Sequence, residues 1–195
     1  MKIKKSIPII LATCAAVAVF GGCDTNSAKY DELNAKLDLN YSQIVLTVTN
    51  TYDEESVLTS EYTVKFVEGI VTVNYSIERF TEVSLDSVTA EKTTIGGEAI
   101  IKDGDVIYVD GEEAPLDALT SGNGLSFKQE YFANAEFTDG SLKADVTNPE
   151  GFMGSSLTCS DMKVTATFSE AFSEIKITYQ SQSGHQVEYL YAFTV

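Results

Sequence analysis

From Tyr41 onward, apolar and polar residues alternate with a period of two, the pattern of strands that bury one face and wet the other. Ile44, Leu46 and Val48 share one side of residues 42–51. Leu58, Tyr62, Val64 and Phe66 oppose Thr59, Glu61, Thr63 and Lys65 in 57–67, and Val71, Val73, Tyr75 and Ile77 align in 70–80. The last third repeats the pattern: Met162, Val164, Ala166 and Phe168, then Ile175, Ile177 and Tyr179, then Val187, Tyr189, Tyr191, Phe193 and Val195. Turn signals punctuate these runs at Glu68-Gly69, Asp103-Gly104-Asp105, Thr138-Asp139-Gly140-Ser141 and 181–184. Shorter strands are predicted at 99–102, 106–109, 127–137 and 142–146. Residues 81–94 read as a polar loop, 115–119 as one helical turn, and Asn148-Pro149-Glu150-Gly151 as a turn entering a short helix. Ahead of the strands, Tyr30, Leu33 and Leu37 mark one face of a short helix that needs docking to persist. Hairpins without crossover helices predict an all-β domain over 30–195 with minor helices. Its architecture is a curved antiparallel meander, an unclosed half-barrel of about nine or ten strands. The final strand is partly apolar on both faces through Leu190 and Ala192, so cover or a central place is expected for it.

The first 23 residues follow another logic. Lys2, Lys4 and Lys5 precede a 14-residue uncharged run, IPIILATCAAVAVF, and then Gly21-Gly22-Cys23. That order is the layout of a secretory signal peptide. Phe20-Gly21-Gly22-Cys23 resembles the lipobox of bacterial lipoproteins, with Phe20 standing where leucine is usual. The resemblance implies cleavage of 1–22 with Phe20, Gly21 and Gly22 as the peptidase's recognition residues. It also implies a diacylglycerol on the Cys23 thiol, with or without an N-acyl group, and a tether over 23–29. Two acyl chains anchor durably where one is marginal. The alternative is an uncleaved span, since 6–23 offers 18 uncharged residues, but no basic cluster follows to stop transfer. The expected location is the extracytoplasmic face of the cell membrane.

Charge sharpens this picture. Twenty-nine acidic residues oppose 13 basic ones, and without the three leading lysines ten basic residues remain, for a net charge of −19. Such a body repels phosphate backbones, so nucleic acid is excluded as a partner. With Cys14 in the leader and Cys23 alkylated, Cys159 is the one thiol left and no internal disulfide is expected.

A lipid-anchored chain with a leading helix at 30–37 running into 41–51, a long hairpin over 57–77 and a closing hairpin within 162–195 looks like the LolA/LppX-like lipoprotein superfamily. That likeness implies an unclosed barrel whose apolar concave face holds lipids or acyl chains under covering helices. A closed lipocalin-like barrel or a sandwich fits the same strand pattern.

Chemistry-bearing motifs are sparse. No G-x-S-x-G, H-E-x-x-H, Walker loop or paired C-x-x-C occurs, and His185 is the single histidine. No catalytic residue, resident cofactor or metal site is expected. Asp103, Asp105 and Asp110-Gly111-Glu112-Glu113 raise the question of calcium, but Ile107 stands where an EF-hand ligand belongs, so solubilising loop tips are the expectation. Tyr75, Tyr179, Tyr189, Tyr191 and Phe193 fall on apolar strand faces, either as ligand-lining groups or as core bulk with hydroxyls reaching water. The expected function is a non-catalytic binding module for a lipid-like, apolar or amphiphilic ligand. The alternative is a structural or protein-interaction lipoprotein (an envelope assembly factor or adhesin) with no cavity. A carboxylate hydrolase ranks last.

Overall fold

The computed structural model describes residues 25–53, 56–67, 70–82, 90–102, 105–114, 116 and 124–195. The expected signal peptide, its recognition residues and Cys23 lie outside them.

The strand pattern is realised nearly run for run. In chain order, α1 (Thr25–Leu37) precedes β1 (Gln43–Thr51), β2 (Val57–Val67), β3 (Ile70–Glu82), β4 (Ala90–Lys102) and β5 (Asp105–Gly111). A 3-10 turn (Gln129–Tyr131) then leads into β6 (Phe132–Thr138) and β7 (Ser141–Val146). After α2 (Pro149–Met153) come β8 (Cys159–Phe168), β9 (Phe172–Ser181) and β10 (Gln186–Thr194). All ten strands join one unclosed antiparallel sheet in the order β5-β4-β3-β2-β1-β10-β9-β8-β7-β6. Two five-stranded meanders are therefore joined along a seam where the first strand pairs with the last.

Register follows the alternation. Leu46 stands between Tyr62 and Tyr191, and Ile44 between Val64 and Phe193. This puts the apolar sets of both meanders on one continuous inner face. Leu46, Val64, Val73, Ile101, Leu142, Val164, Ile175 and Ile177 are buried there, while Thr165, Lys176 and Glu188 face outward. The final strand is central, as its two-sided apolarity requires.

Three expectations are corrected. Residues 81–94 do not form a loop throughout: β3 continues to Glu82 and β4 starts at Ala90. This extension carries few apolar positions because exposed cross-strand polar pairs hold it. Thr81 and Thr93 hydroxyls lie 2.8 Å apart, and Lys92 Nζ sits 2.8 Å from Glu78 Oε2. Residues 127–137 are not one strand, since the 3-10 turn interrupts them before β6. The helix begins at Thr25 instead of Tyr30, so it takes up most of the expected tether.

The short helix α2 has the ends its sequence demands. Asn148 Oδ1 accepts from Gly151 N at 2.9 Å, Pro149 opens the turn, and Gly154 closes it at φ 68°.

Candidate functional site

Helix α1 docks on the sheet through both faces of its chemistry. Its apolar stripe, Tyr30, Leu33 and Leu37, is buried. Asn34 clamps the backbone of Phe127 at both ends, donating to its carbonyl at 2.6 Å and accepting from its N–H at 2.8 Å. Lys36, only 9 % exposed as a residue, donates its ammonium to the Ser169 carbonyl at 2.6 Å and pairs with Glu32 at 3.2 Å. The Tyr41 hydroxyl donates to the Lys36 carbonyl at 2.8 Å and accepts from Phe172 N at 3.0 Å. A buried ammonium leaves water only for partners of this kind.

From α1 a continuous line of ring contacts crosses the inner face. Tyr30 stacks on Phe132 with centroids 5.5 Å apart, Phe132 on Phe127 at 5.8 Å, and Phe127 on Phe172 at 5.9 Å. Phe172 meets Phe193 at 5.9 Å. The row then continues down β10 through Tyr191 and Tyr189, 6.4 Å per step, to Tyr179 of β9 at 6.1 Å. Alternate residues of one strand share a face, which is why Phe193, Tyr191 and Tyr189 line up. Each ring pair contributes about 0.5–1.5 kcal/mol beyond the area it buries.

Four of the five residues expected to line a ligand thus lie together. Tyr75 stands apart on β3. Its ring lies over Gly97 of β4 and its hydroxyl donates to the Glu112 carbonyl at 2.5 Å. That places Tyr75 as a brace for the β4–β5 edge.

The tyrosine row has unusual surroundings. Burial pushes the Tyr191 phenol well above its ordinary value, and the nearby Tyr189 phenol adds to the rise. Tyr179 is raised in the same direction, by burial first and then by the nearby Tyr189 phenol. Tyr179 itself is tightly packed. Tyr191 and its neighbour Tyr189 are only partly buried.

A hollow lies at the other end of the aromatic line. A groove of about 1150 Å³ runs between α1, residues 124–132 and α2, floored by Tyr30, Leu37, Phe127 and Phe132. Asp31, Asp38, Glu130 and Glu150 stand at its rim, and burial raises the Asp38 carboxyl. The helical periodicity of α1 marked its docking face. Nothing in the sequence paired that face with residues about 90 positions away, which is the separation of Asn34 and Phe127.

His185 braces a turn. Its Nδ1 lies 2.8 Å from Ser181 Oγ and 2.9 Å from Ser183 Oγ, its carbonyl accepts from Ser181 N, and its ring packs on Tyr52 at 4.5 Å. Cys159 is partly buried, and that burial raises its thiol, which disfavours the nucleophilic thiolate. Among the described residues no group of three His, Cys, Asp or Glu side chains is placed to hold a metal ion, and no helix is long and apolar enough to cross a membrane.

The chain matches no known family profile and no curated protein. Among solved structures it is similar to the dehydratase domain from the CurF module of curacin polyketide synthase, at 9 % identity over 86 % of this chain and 81 % of that one. The TM-score is 0.23, and no argument rests on that overlap.

Proposed function

We propose that the protein is a lipid-anchored, extracytoplasmic binding module, held at the membrane through Cys23. In this reading the inner face of its sheet takes the apolar part of an amphiphilic ligand beside Tyr189 and Tyr191. One observation carries the ligand reading: Tyr191 and Tyr189 carry an unbroken aromatic line along the inner face and are only partly buried, so part of their surface is left uncovered by the protein's own side chains. A phenol in such a place offers a flat apolar wall and one hydroxyl to orient a polar end. The anchor reading rests on the lipobox resemblance, and α1 fits it. The helix starts at Thr25, two residues past Cys23, so the fold is tethered within about 7 Å of chain from the acylated sulfur.

Two measurements test these halves separately. Growth with an alkynyl fatty acid should label the wild-type protein and leave Cys23→Ser unlabelled; an unlabelled wild type overturns the anchor. Native mass spectrometry of residues 24–195, purified from a membrane-containing host, should show bound acyl species that Tyr191→Asp loses. Ser27→Trp, which fills the α1 groove instead, should keep them. A protein that is bare after purification and takes up no fatty acid or lysophospholipid overturns the ligand half. The alternative, a protein-interaction lipoprotein, is favoured by the exposed side chains of Val67, Ile70, Ile107 and Val109.

A further inference from the structure

Each strand of a meander begins or finishes at one of two ends of the sheet, and the register fixes which tips share an end. Gln43 of β1 faces Thr194 of β10 and Lys65 of β2, Val67 pairs with Ile70, and Lys102 pairs with Asp105. In the other half Phe168 faces Phe172 and Thr138 faces Ser141. The α1–β1, β2–β3, β4–β5, β6–β7 and β8–β9 connections therefore share one end, and β1–β2, β3–β4 and β9–β10 share the other.

Helix α1 lies along the first of these ends. Lys29 Nζ stands 4.9 Å from the centre of the Phe137 ring, next to the finish of β6, and Lys36 Nζ holds the Ser169 carbonyl between β8 and β9. Thr25, where α1 starts, is four residues before Lys29, about 6 Å along a helix. Cys23 is two residues further, about 7 Å of extended chain. The nine residues of β1 span about 30 Å from end to end, so an anchor at Cys23 leaves the body close to this end, on its β6 side.

The same end exposes aliphatic side chains. Val67 is 59 % exposed, Ile70 45 % and Leu39 42 %, with Leu39 standing out between the buried Leu37 and Tyr41. At the opposite end the exposed large apolar residues among those described are rings packed together: Tyr52 lies 5.9 Å from Phe80 and 4.5 Å from His185. Ile107 and Val109 lie along β5, away from its tip. Charge at the α1 end is mixed, since Asp38, Asp105, Asp139 and Glu170 are exposed together with Lys29, Lys65 and Lys102. Anionic head groups are drawn to clustered basic residues, and a mixture of this kind has no such pull. The contact it suits is apolar, with lysine stems lying along it and ammonium groups in water.

Position completes the argument. Five strands, β1, β10, β9, β8 and β7, separate the β2–β3 hairpin from β6. Acyl chains on the β6 side and apolar tips on the β2–β3 side give two separate footholds, which together fix a tilt that one alone leaves free.

We propose that this end of the sheet faces the bilayer, with Val67, Ile70 and Leu39 pressed into the boundary between head groups and acyl chains of a neutral or zwitterionic leaflet. The strands then stand on the membrane and the His185 turn points away from it. The proposal rests on the anchor reading and adds where the lipid surface meets the fold.

The chain has no tryptophan, so a single introduced one reports its own surroundings. The lipidated full chain carrying Val67→Trp, Ile70→Trp or Tyr52→Trp is reconstituted on phosphatidylcholine vesicles with plain or brominated acyl chains. Bromine should quench Val67→Trp and Ile70→Trp at least about twofold and leave Tyr52→Trp unchanged. All three positions are exposed, so circular dichroism should match the wild type, and Leu39→Trp replaces a variant at the α1 end that does not. Flotation with the vesicles reads the anchor separately. Protein that floats with quenching absent, equal at all positions or strongest in Tyr52→Trp overturns the orientation and leaves the anchor standing. Protein that does not float overturns both. Blue-shifted but unquenched emission from Val67→Trp also overturns the proposal, since those tips would then be covered by protein.

Discussion

Gly97 is the residue on which the β4–β5 edge closes. A Cβ there would stand 2.5 Å from the Tyr75 hydroxyl oxygen and would strike the Asp110 carbonyl oxygen on the facing strand. Neither neighbour is free to retreat, because the Tyr75 hydroxyl is bonded to Glu112 and Asp110 belongs to the β5 pairing. Gly97→Ala should therefore cost about 1–3 kcal/mol, read as a lower urea midpoint with an unchanged slope. A second residue-scale outcome concerns pH. The phenols of Tyr179 and Tyr191 are raised by burial, so the folded state favours their neutral forms. The unfolded chain loses those protons near the ordinary tyrosine value, about 10. Stability is therefore unaffected below that pH and falls as pH rises past it. An alkaline titration followed by tyrosinate absorbance should show some phenols ionising early and the rest only together with unfolding. In Tyr179→Phe/Tyr191→Phe the unfolding midpoint should move to higher pH.

At the scale of elements, α1 shows what alternation and helical spacing can and cannot reveal. The stripe Tyr30, Leu33, Leu37 was legible, and so were the long runs of β1, β2 and β8 to β10. The start of α1 was not, because Thr25 to Lys29 offers no large apolar residue to extend the stripe. The outer ends of β3 and β4 were hidden for a related reason: Thr81, Thr93, Lys92 and Glu78 face water, and the ladder they complete leaves no apolar signature. The 3-10 turn before β6 was masked by an aromatic run that resembles a strand. Docking of α1 depends on Asn34, whose side-chain amide satisfies both backbone groups of Phe127. Asn34→Ala strands that N–H and C=O and should destabilise the protein by about 1–3 kcal/mol. Hydrogen exchange should quicken first at Phe127 and along α1, while the amides of β1 and β10 keep their protection.

At the scale of the whole molecule, the all-β architecture and the shared face of Tyr179, Tyr189, Tyr191 and Phe193 were legible in the strand periodicity. The pairing of β1 with β10 was not, since period two marks a strand without naming its neighbour. That pairing makes the two meanders one cooperative body. Thr47 lies at the middle of the seam, opposite both Glu61 and Leu190. Thr47→Pro removes a ladder hydrogen bond there and should unfold both meanders together, seen as loss of dispersed amide signals from β3 and β8 alike. Val109→Pro, on the outermost strand, should leave that spectrum largely intact.

The seam also sets a timetable for a chain that emerges in order. Its earliest strand has to wait for its latest one, so the middle of the sheet stays unzipped until nearly everything has been delivered. During that interval the greasy sides of both halves stand open to solvent. Closing the seam is thus the step that takes both apolar faces out of water at once.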